Sequence, residues 1–391
     1  VGHRAVEGLG RARRSGSSLA IYIHWPFCRS KCPYCDFNSH VRERIDPGAW
    51  TAALLADLDR QHELAPKHEV VSIFFGGGTP SLMPPDTAAA LIERVKRHWP
   101  TSRDLEITLE ANPNSAEAER FAGFAAAGVN RLSLGIQALD AKALKFLGRA
   151  HNRKEALAAI KLSQQLFART SFDLIYARPG QSLAAWRDEL DEALSFAGEH
   201  LSLYQLTIEP GTAFHTAARN GTLAPLDDET AAAMFELTQE RLAAARLPAY
   251  EISNHARPGA ECRHNLVYWR YQDYLGIGPG AHGRVTRDGV KYATRHRRLP
   301  EAWLKQPKFE ETTPIGRETQ VEEMVMMGLR LVEGIPRPRL EALAECSIEA
   351  LFGVSLNRLI EGGFVTLDKT RFAATPAGRQ RLNAVLGALL G

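Results

Sequence analysis

The chain has 391 residues, 45% of them hydrophobic and 24% charged, with a net charge of +3. A chain of this size buries a large core without disulfide staples, as one large domain and a smaller one. Balanced charge gives no argument for nucleic-acid binding, and no run of about 18 or more apolar residues is available to span a bilayer, leaving at most a peripheral membrane association.

Residues 1–17 are locally basic (Arg4, Arg11, Arg13, Arg14), rich in Gly and Ser, and lack the apolar stretch of a secretory signal. They read as a flexible tail on a cytoplasmic protein. Strand-like runs follow at LAIYIH (19–24), VVSIFF (70–75), LEITLEA (105–111), RLSLGI (131–136), SFDLIYA (171–177) and LSLYQLTI (201–208). Helical spacing fills 47–64, 86–98, 115–127, 152–168, 184–198 and 228–246. Asn114, with Glu117 three residues on, predicts a cap for the helix over 115–127. Six β-then-α units imply an α/β fold, a parallel sheet curving into a partial (β/α)6 barrel, with an open doubly wound sheet as the alternative. Past residue 300 the pattern turns helical, at 321–334 and 348–362, before a hairpin and helix over 364–378. This predicts a core over 18–300 and a small winged-helix-like domain over 301–391.

Ligands bind at the C-terminal ends of strands in such sheets, and the unusual residues of this chain sit there. After the first strand comes HWPFCRSKCPYCDFNSH, with Cys28, Cys32 and Cys35 in C-x3-C-x2-C spacing. Three thiolates in one tight loop can hold three corners of a [4Fe–4S] cube and leave one iron open. The amino and carboxylate groups of S-adenosylmethionine (SAM) can chelate that iron, and a reduced cluster can then cleave the sulfonium C–S bond. Zinc is the alternative, with a fourth ligand from His24, His40, Cys262 or His264. An odd count of five cysteines argues for metal or catalysis over a disulfide framework.

The second strand ends in Gly76-Gly77-Gly78-Thr79, where backbone can approach a ligand closely. Glu110 ends the third strand and could bind ribose hydroxyls or an ammonium group. Gln137 ends the fourth. Arg149 could clamp a carboxylate. Asp173 lies in an apolar strand, and a buried charge needs a partner, either Arg149 or a ligand group.

The cysteine loop, GGGTPS, EANP, RLSLGIQ, LGRAH, FDLIYARPGQ, YQLTIEPGT, YEISNHARPG and CRHNLVYW with YLGIGPGAH resemble, in that order, the radical-SAM family of oxygen-independent coproporphyrinogen III oxidase and its relatives. The resemblance runs from residue 19 to about 385 and makes 18–300 a radical-SAM core. Within the family the chain is most similar to the heme-chaperone branch. The oxidase branch has a further cysteine where this chain has Phe37, and a longer segment ahead of the cluster loop. The H-N-x-x-Y-W motif at His264 is implicated in heme binding in the chaperone branch. The resemblance implies SAM contacts from Tyr22, Gly77, Gly78, Thr79, Glu110, Gln137, Arg149 and Asp173. It also suggests a homodimer. One departure is visible: relatives read GLPGQ where this chain has Ala177-Arg178-Pro179-Gly180-Gln181, which adds charge beside the pocket.

A heme site needs an iron ligand, flat apolar walls and cations for the propionates. The segment within 250–283 offers His264 or Cys262 as ligand, Tyr268, Trp269, Tyr271 and Tyr274 as walls, and Arg263 and Arg270 as cations. Ordinary core packing would explain the same aromatics. His282, in GPGAHG, is the second candidate ligand, and Cys346 reads as an inert buried thiol. The resemblance implies a protein that takes up heme and delivers it to apoproteins. The competing readings are an oxidase that decarboxylates coproporphyrinogen III and a radical-SAM methyltransferase.

Overall fold

The computed structural model describes residues 17–308 and 310–391. The tail expected over the first residues lies outside these apart from Ser17, whose carbonyl accepts a hydrogen bond from the Glu69 amide.

Six strands, β1 (Ser18–Trp25), β2 (Glu69–Gly77), β3 (Thr101–Ala111), β4 (Arg131–Gln137), β5 (Arg169–Tyr176) and β6 (His200–Gln205), lie side by side in chain order. Every neighbouring pair among them is parallel. An order that never reverses has no switch point, so the doubly wound alternative is excluded. Right-handed crossovers then carry all the connecting helices to one face of the sheet.

Strand alternation divides the residues accordingly. Ile21, Ile23, Ile73, Phe75, Ile107, Leu109, Leu132 and Leu134 are buried beneath the helices in one continuous core. Their neighbours in sequence, Tyr22, Ser72, Glu106, Glu110, Arg131, Ser133 and Asp173, point to the opposite, concave face. The helices begin where a side chain can accept from their first free amides. Asp46 caps Pro47–Leu64, Asn152 and Glu155 form a capping box on Arg153–Leu166, and Ser182 and Asp227 cap Leu183–Phe196 and Asp228–Ala244. The helix expected over 115–127 is two pieces, Ser115–Ala118 and Phe121–Ala126. Asn114 caps the first, as its spacing predicts, but Glu117 turns inward to Ser81 and the Asn112 amide.

Five further strands make the sheet mixed and eleven-stranded. Strand β7 (Asn254–Ala256) pairs antiparallel with β6. The chain then returns across the concave face through the helix Arg263–Trp269 and adds β8 (Asp273–Ile277) parallel to β1. An antiparallel meander continues from it: β9 (His282–Arg287), β10 (Val290–His296) and β11 (Glu310–Pro314). The main sheet thus extends to Pro314, and Trp303 stacks on Trp50 at 5.5 Å between ring centroids. The division expected at residue 300 therefore falls nearer 315. Beyond it a second core forms from Val325, Leu329, Leu340, Ile348, Leu356 and Phe372, which Tyr271 of the returning segment joins and against which Ile252 packs. Helices and a hairpin, Val365–Leu367 with Arg371–Ala374, build it. Cys346 is exposed there, not buried as expected, because it lies in the turn between helices Arg337–Ala344 and Ile348–Glu361.

The returning segment is held at one carboxylate. Glu106 is 2% exposed and receives the Arg131 guanidinium at 3.2 Å, that of Arg169 at 2.9 Å and the Arg263 amide at 2.8 Å. Removing one member of a buried charge network leaves the others uncompensated. Replacing Glu106 with Gln is expected to destabilise the fold by about 3–5 kcal/mol, read as a fall in the urea unfolding midpoint.

Candidate functional site

The cysteine loop leaves the C-terminal end of β1 and is fastened to the next strand. Gly78 donates its amide to Trp25 O at 2.7 Å, and Thr79 donates to Phe27 O at 2.8 Å. The three thiols are free and half-buried. Each has a polar neighbour that can donate to a thiolate. Thr79 Oγ1 lies 3.3 Å from Cys28 Sγ, Arg149 Nη1 3.4 Å from Cys32 Sγ, and Ser39 Oγ 3.9 Å from Cys35 Sγ. Burial raises the Cys28 and Cys35 thiols above their ordinary pKa, against the pull of the Thr79 and Ser39 hydroxyls. Three thiols at separate positions along one loop, each beside a hydrogen-bond donor, are the donor set that grips three corners of a [4Fe–4S] cube. The alternative fourth ligands are also committed elsewhere. His24 bonds Tyr22 OH at 3.0 Å and Asn38 O at 2.9 Å, and His40 bonds Asn38 Oδ1 at 3.1 Å. Cys262 is buried beside Glu106, where desolvation pushes its pKa up to about 12.

A cavity of about 990 Å³ brings together Cys28, Cys32, Cys35, Gly77, Gly78, Thr79, Glu110, Gln137, Arg149 and Asp173. Residues 379–384 of the second core, with Arg330, wall its far side. Tyr22 faces a neighbouring cavity of about 570 Å³, which shares Gly77 and Glu110 with the first. The glycines are required by packing as well as by ligand approach. A Cβ on Gly77, whose φ is +113°, would stand 2.6 Å from the His24 ring, and one on Gly78 would stand 2.7 Å from Phe27 O.

Two buried carboxyls define the electrostatics. Burial, then the charge of Asp173, raises Glu110 to about 8. Burial raises Asp173 to about 6 against the pull of Ser202, Ser133 and Arg149. Both are under-neutralised, as suits groups that wait for a cation or for hydroxyl donors. The expected Asp173–Arg149 pair is absent among the described residues. Arg149 donates instead to Asn112 Oδ1, Gly135 O and Cys32 Sγ, because it emerges beside the cysteine loop. Asp173 has hydroxyl partners instead, Ser202 and Ser133, the latter with Oγ at 3.4 Å. Gln137 ends β4 with φ +72°, a left-handed backbone uncommon for its type. Arg178, the departure from the family pattern, turns away from the cavity into a buried pair with Glu189. The pocket beside it therefore gains no charge.

Sequence reasoning missed Asn112. Its amide nitrogen donates to Thr79 Oγ1 at 3.2 Å while its oxygen accepts from Arg149, tying three strand ends together. The available signal was its place two residues after Glu110.

The heme segment is arranged otherwise than expected. His264 is 2% exposed, with Nδ1 on Ser72 Oγ at 3.2 Å and Nε2 on Tyr268 OH at 3.0 Å. Its ring stacks on Phe74 at 4.7 Å, and burial lowers its pKa to about 3. It lines neither cavity. Arg263 pairs with Asp104, and Arg270 with Glu333. Tyr271 belongs to the second core, and Trp269 lies under Arg330. The short helix thus plugs the concave face. Of the ligand and wall candidates in this segment, Tyr268 and Tyr274, 4.3 Å apart, line the smaller cavity together with His282.

Two predictions follow from these contacts. Replacing Cys32 with Ser should abolish iron uptake on anaerobic reconstitution, while Cys262→Ser keeps the parent's iron content, both read by iron analysis. Glu110 has an ordinary pKa of 4.5 and about 8 in the fold, so its burial costs nothing well below pH 4.5 and increasingly destabilises as pH rises towards 8. In ligand-free protein, Glu110→Gln should therefore raise the unfolding free energy at pH 9 by on the order of a few kcal/mol, and by much less at pH 5, read from urea unfolding curves. A gain independent of pH would contradict the assignment.

Residues 22–193 match the Radical SAM superfamily, and residues 315–381 match the HemN C-terminal domain. The heme chaperone HemW of Escherichia coli is 39% identical over 374 residues, covering 94% of this chain and 97% of its own length. The mitochondrial radical S-adenosyl methionine domain-containing protein 1 of Bos taurus is 38% identical, covering 95% of this chain and 87% of its own. Among solved structures, coproporphyrinogen III oxidase (HemN) of Escherichia coli, a radical SAM enzyme, superposes with a TM-score of 0.79 at 20% identity, over 97% of this chain and 91% of its own. With its cysteine loop, its six parallel strands and full-length identity of this order, the chain belongs to the radical-SAM family of the heme chaperone HemW.

Proposed function

We propose that this protein binds heme and hands it to heme-requiring apoproteins, with a [4Fe–4S] cluster and SAM housed in the larger cavity. The observation that carries this reading is the 39% identity to a heme chaperone across 97% of that protein. Phe37, where the oxidase branch of the resemblance has a cysteine, supports it.

Cys28, Cys32 and Cys35 would hold the cluster, and Arg149 would keep a positive charge against Cys32. When bound, the reduced cluster with SAM supplies an electron to the sulfonium. Gly77, Gly78 and Thr79 offer close backbone and a hydroxyl to the methionine end. Glu110, neutral near pH 7 in the ligand-free site, ionises when a cationic group arrives, so that the desolvation cost is offset by the pair it forms. Asp173 and Gln137 stand at the next strand ends for the ribose. Tyr22 sits between the two cavities, its hydroxyl fixed on His24.

Among the described residues no helix is long and apolar enough to cross a membrane. Free cysteines suit a reducing compartment, and we take the cytoplasm as the place of action. A homodimer and a peripheral contact with membranes that carry apoproteins belong to the same reading. The test is anaerobic reconstitution, heme titration and transfer to an apo-enzyme whose activity needs heme. We expect stoichiometric uptake, recovery of the recipient's activity and no conversion of coproporphyrinogen III. Robust turnover to protoporphyrinogen would overturn the chaperone reading in favour of the oxidase, and methylated product with S-adenosylhomocysteine would favour a methyltransferase.

A further inference from the structure

We propose that His282, and not the motif histidine His264, ligates the heme iron, in the 570 Å³ cavity that adjoins the SAM site. This deepens the heme reading above and rests on it.

An axial ligand needs a free nitrogen lone pair facing open space. His264 offers neither, since both its nitrogens are engaged within the concave face. His24, the other histidine on the wall of this cavity, has both nitrogens engaged as well. The His282 side chain makes no hydrogen bond among the described residues, and it is exposed at the cavity. Partial burial, then the neighbouring cations Arg284, Arg295 and Arg298, lower its pKa and so favour the neutral imidazole that binds metals.

The ring is carried on a rigid mount. Gly278 donates its amide to buried Asp57 at 2.8 Å, and Gly280 donates to Arg297 O at 2.8 Å. Asn38 reaches across from the cysteine-loop side to Pro279 O at 3.0 Å and Arg298 O at 2.9 Å. The turn before His282 is thus fixed from two sides, which keeps a ligand's orientation defined.

The remaining requirements of a porphyrin meet at the same place. Tyr268 and Tyr274, packed edge to face at 4.3 Å, give the cavity an aromatic corner whose exposed ring face can meet a porphyrin plane, and Phe37 also lines it, 59% exposed. Arg298 is exposed, lines the cavity and has no carboxylate partner among the described residues, so it is available to a propionate. Arg295, opposite His282 in the β9–β10 register, is already paired with Glu311.

The test is titration of the anaerobic, cluster-loaded full chain with hemin, followed by absorption and resonance Raman spectra. His282→Ala should weaken heme binding at least tenfold and remove the histidine signature. His282→Cys should bind heme with the shifted spectrum of a thiolate ligand, a change that a merely structural histidine would not produce. Iron and sulfide content, unchanged in both variants, reports that they fold. If the parent binds heme and both variants keep its affinity and spectrum, or if His264→Gln alone removes the signature, the assignment to His282 is overturned. If the parent takes up no heme, the heme reading itself falls, and the ligand assignment with it.

Discussion

Glu106 joins parts of the chain that are remote in sequence. Its carboxylate sits on the concave face and gathers two guanidinium groups from the next strands and the backbone amide of Arg263. Through that amide, the segment after the sixth parallel strand is drawn back over the sheet and delivered beside β1. The register that follows, Tyr22 opposite Gly276 and Ile23 opposite Ile277, places the glycine-rich turn against the root of the cysteine loop. Both cavities, and every side chain that lines their common border, depend on this return.

The concave face is polar because alternation along the strands leaves it so, and this sets the chemistry available. A buried carboxyl that lacks a counter-charge is costly, and two of them stand here within reach of one another's field. A ligand carrying an ammonium or sulfonium charge would relieve that cost, so these carboxyls favour a cationic group beside them. The Asn112 bridge complements this by tying Thr79 to Arg149. The thiols at Cys28 and Cys32 are thereby backed by one hydrogen-bonded chain that spans the ends of β2, β3 and β4.

The six parallel strands and their helices were legible because β-branched and aromatic runs alternate with long amphipathic stretches. The four strands after Asp273 were not. They are short, broken by glycines, and loaded with Arg, Lys and Thr, and their stability comes from pairing at a sheet edge. The cysteine loop stood out by its spacing, with zinc still open as the alternative, and the polar residues at strand ends stood out by their place. The placement of His264 could not: a seven-residue helix carries no useful periodicity, and its partner Ser72 lies 192 positions away. The same limit hid Arg178, whose charge is absorbed by Glu189 inside the fold. Motif position told which segments matter; only packing told which way their side chains turn.

The larger cavity has walls of two different kinds. Strand ends form one side, and residues 379–384, which belong to the second core, form the other. Besides the apolar contact of Tyr271, polar contacts join the two bodies: Arg270 with Glu333, Arg284 with Glu323, and Gln380 with Glu236. Such contacts are weaker than core packing and weaken further as ionic strength rises. Salt therefore acts on this seam mainly at its outer edge, where Arg270 and Glu333 stand exposed, and much less at Arg284 and Glu323, which are largely shielded from solvent.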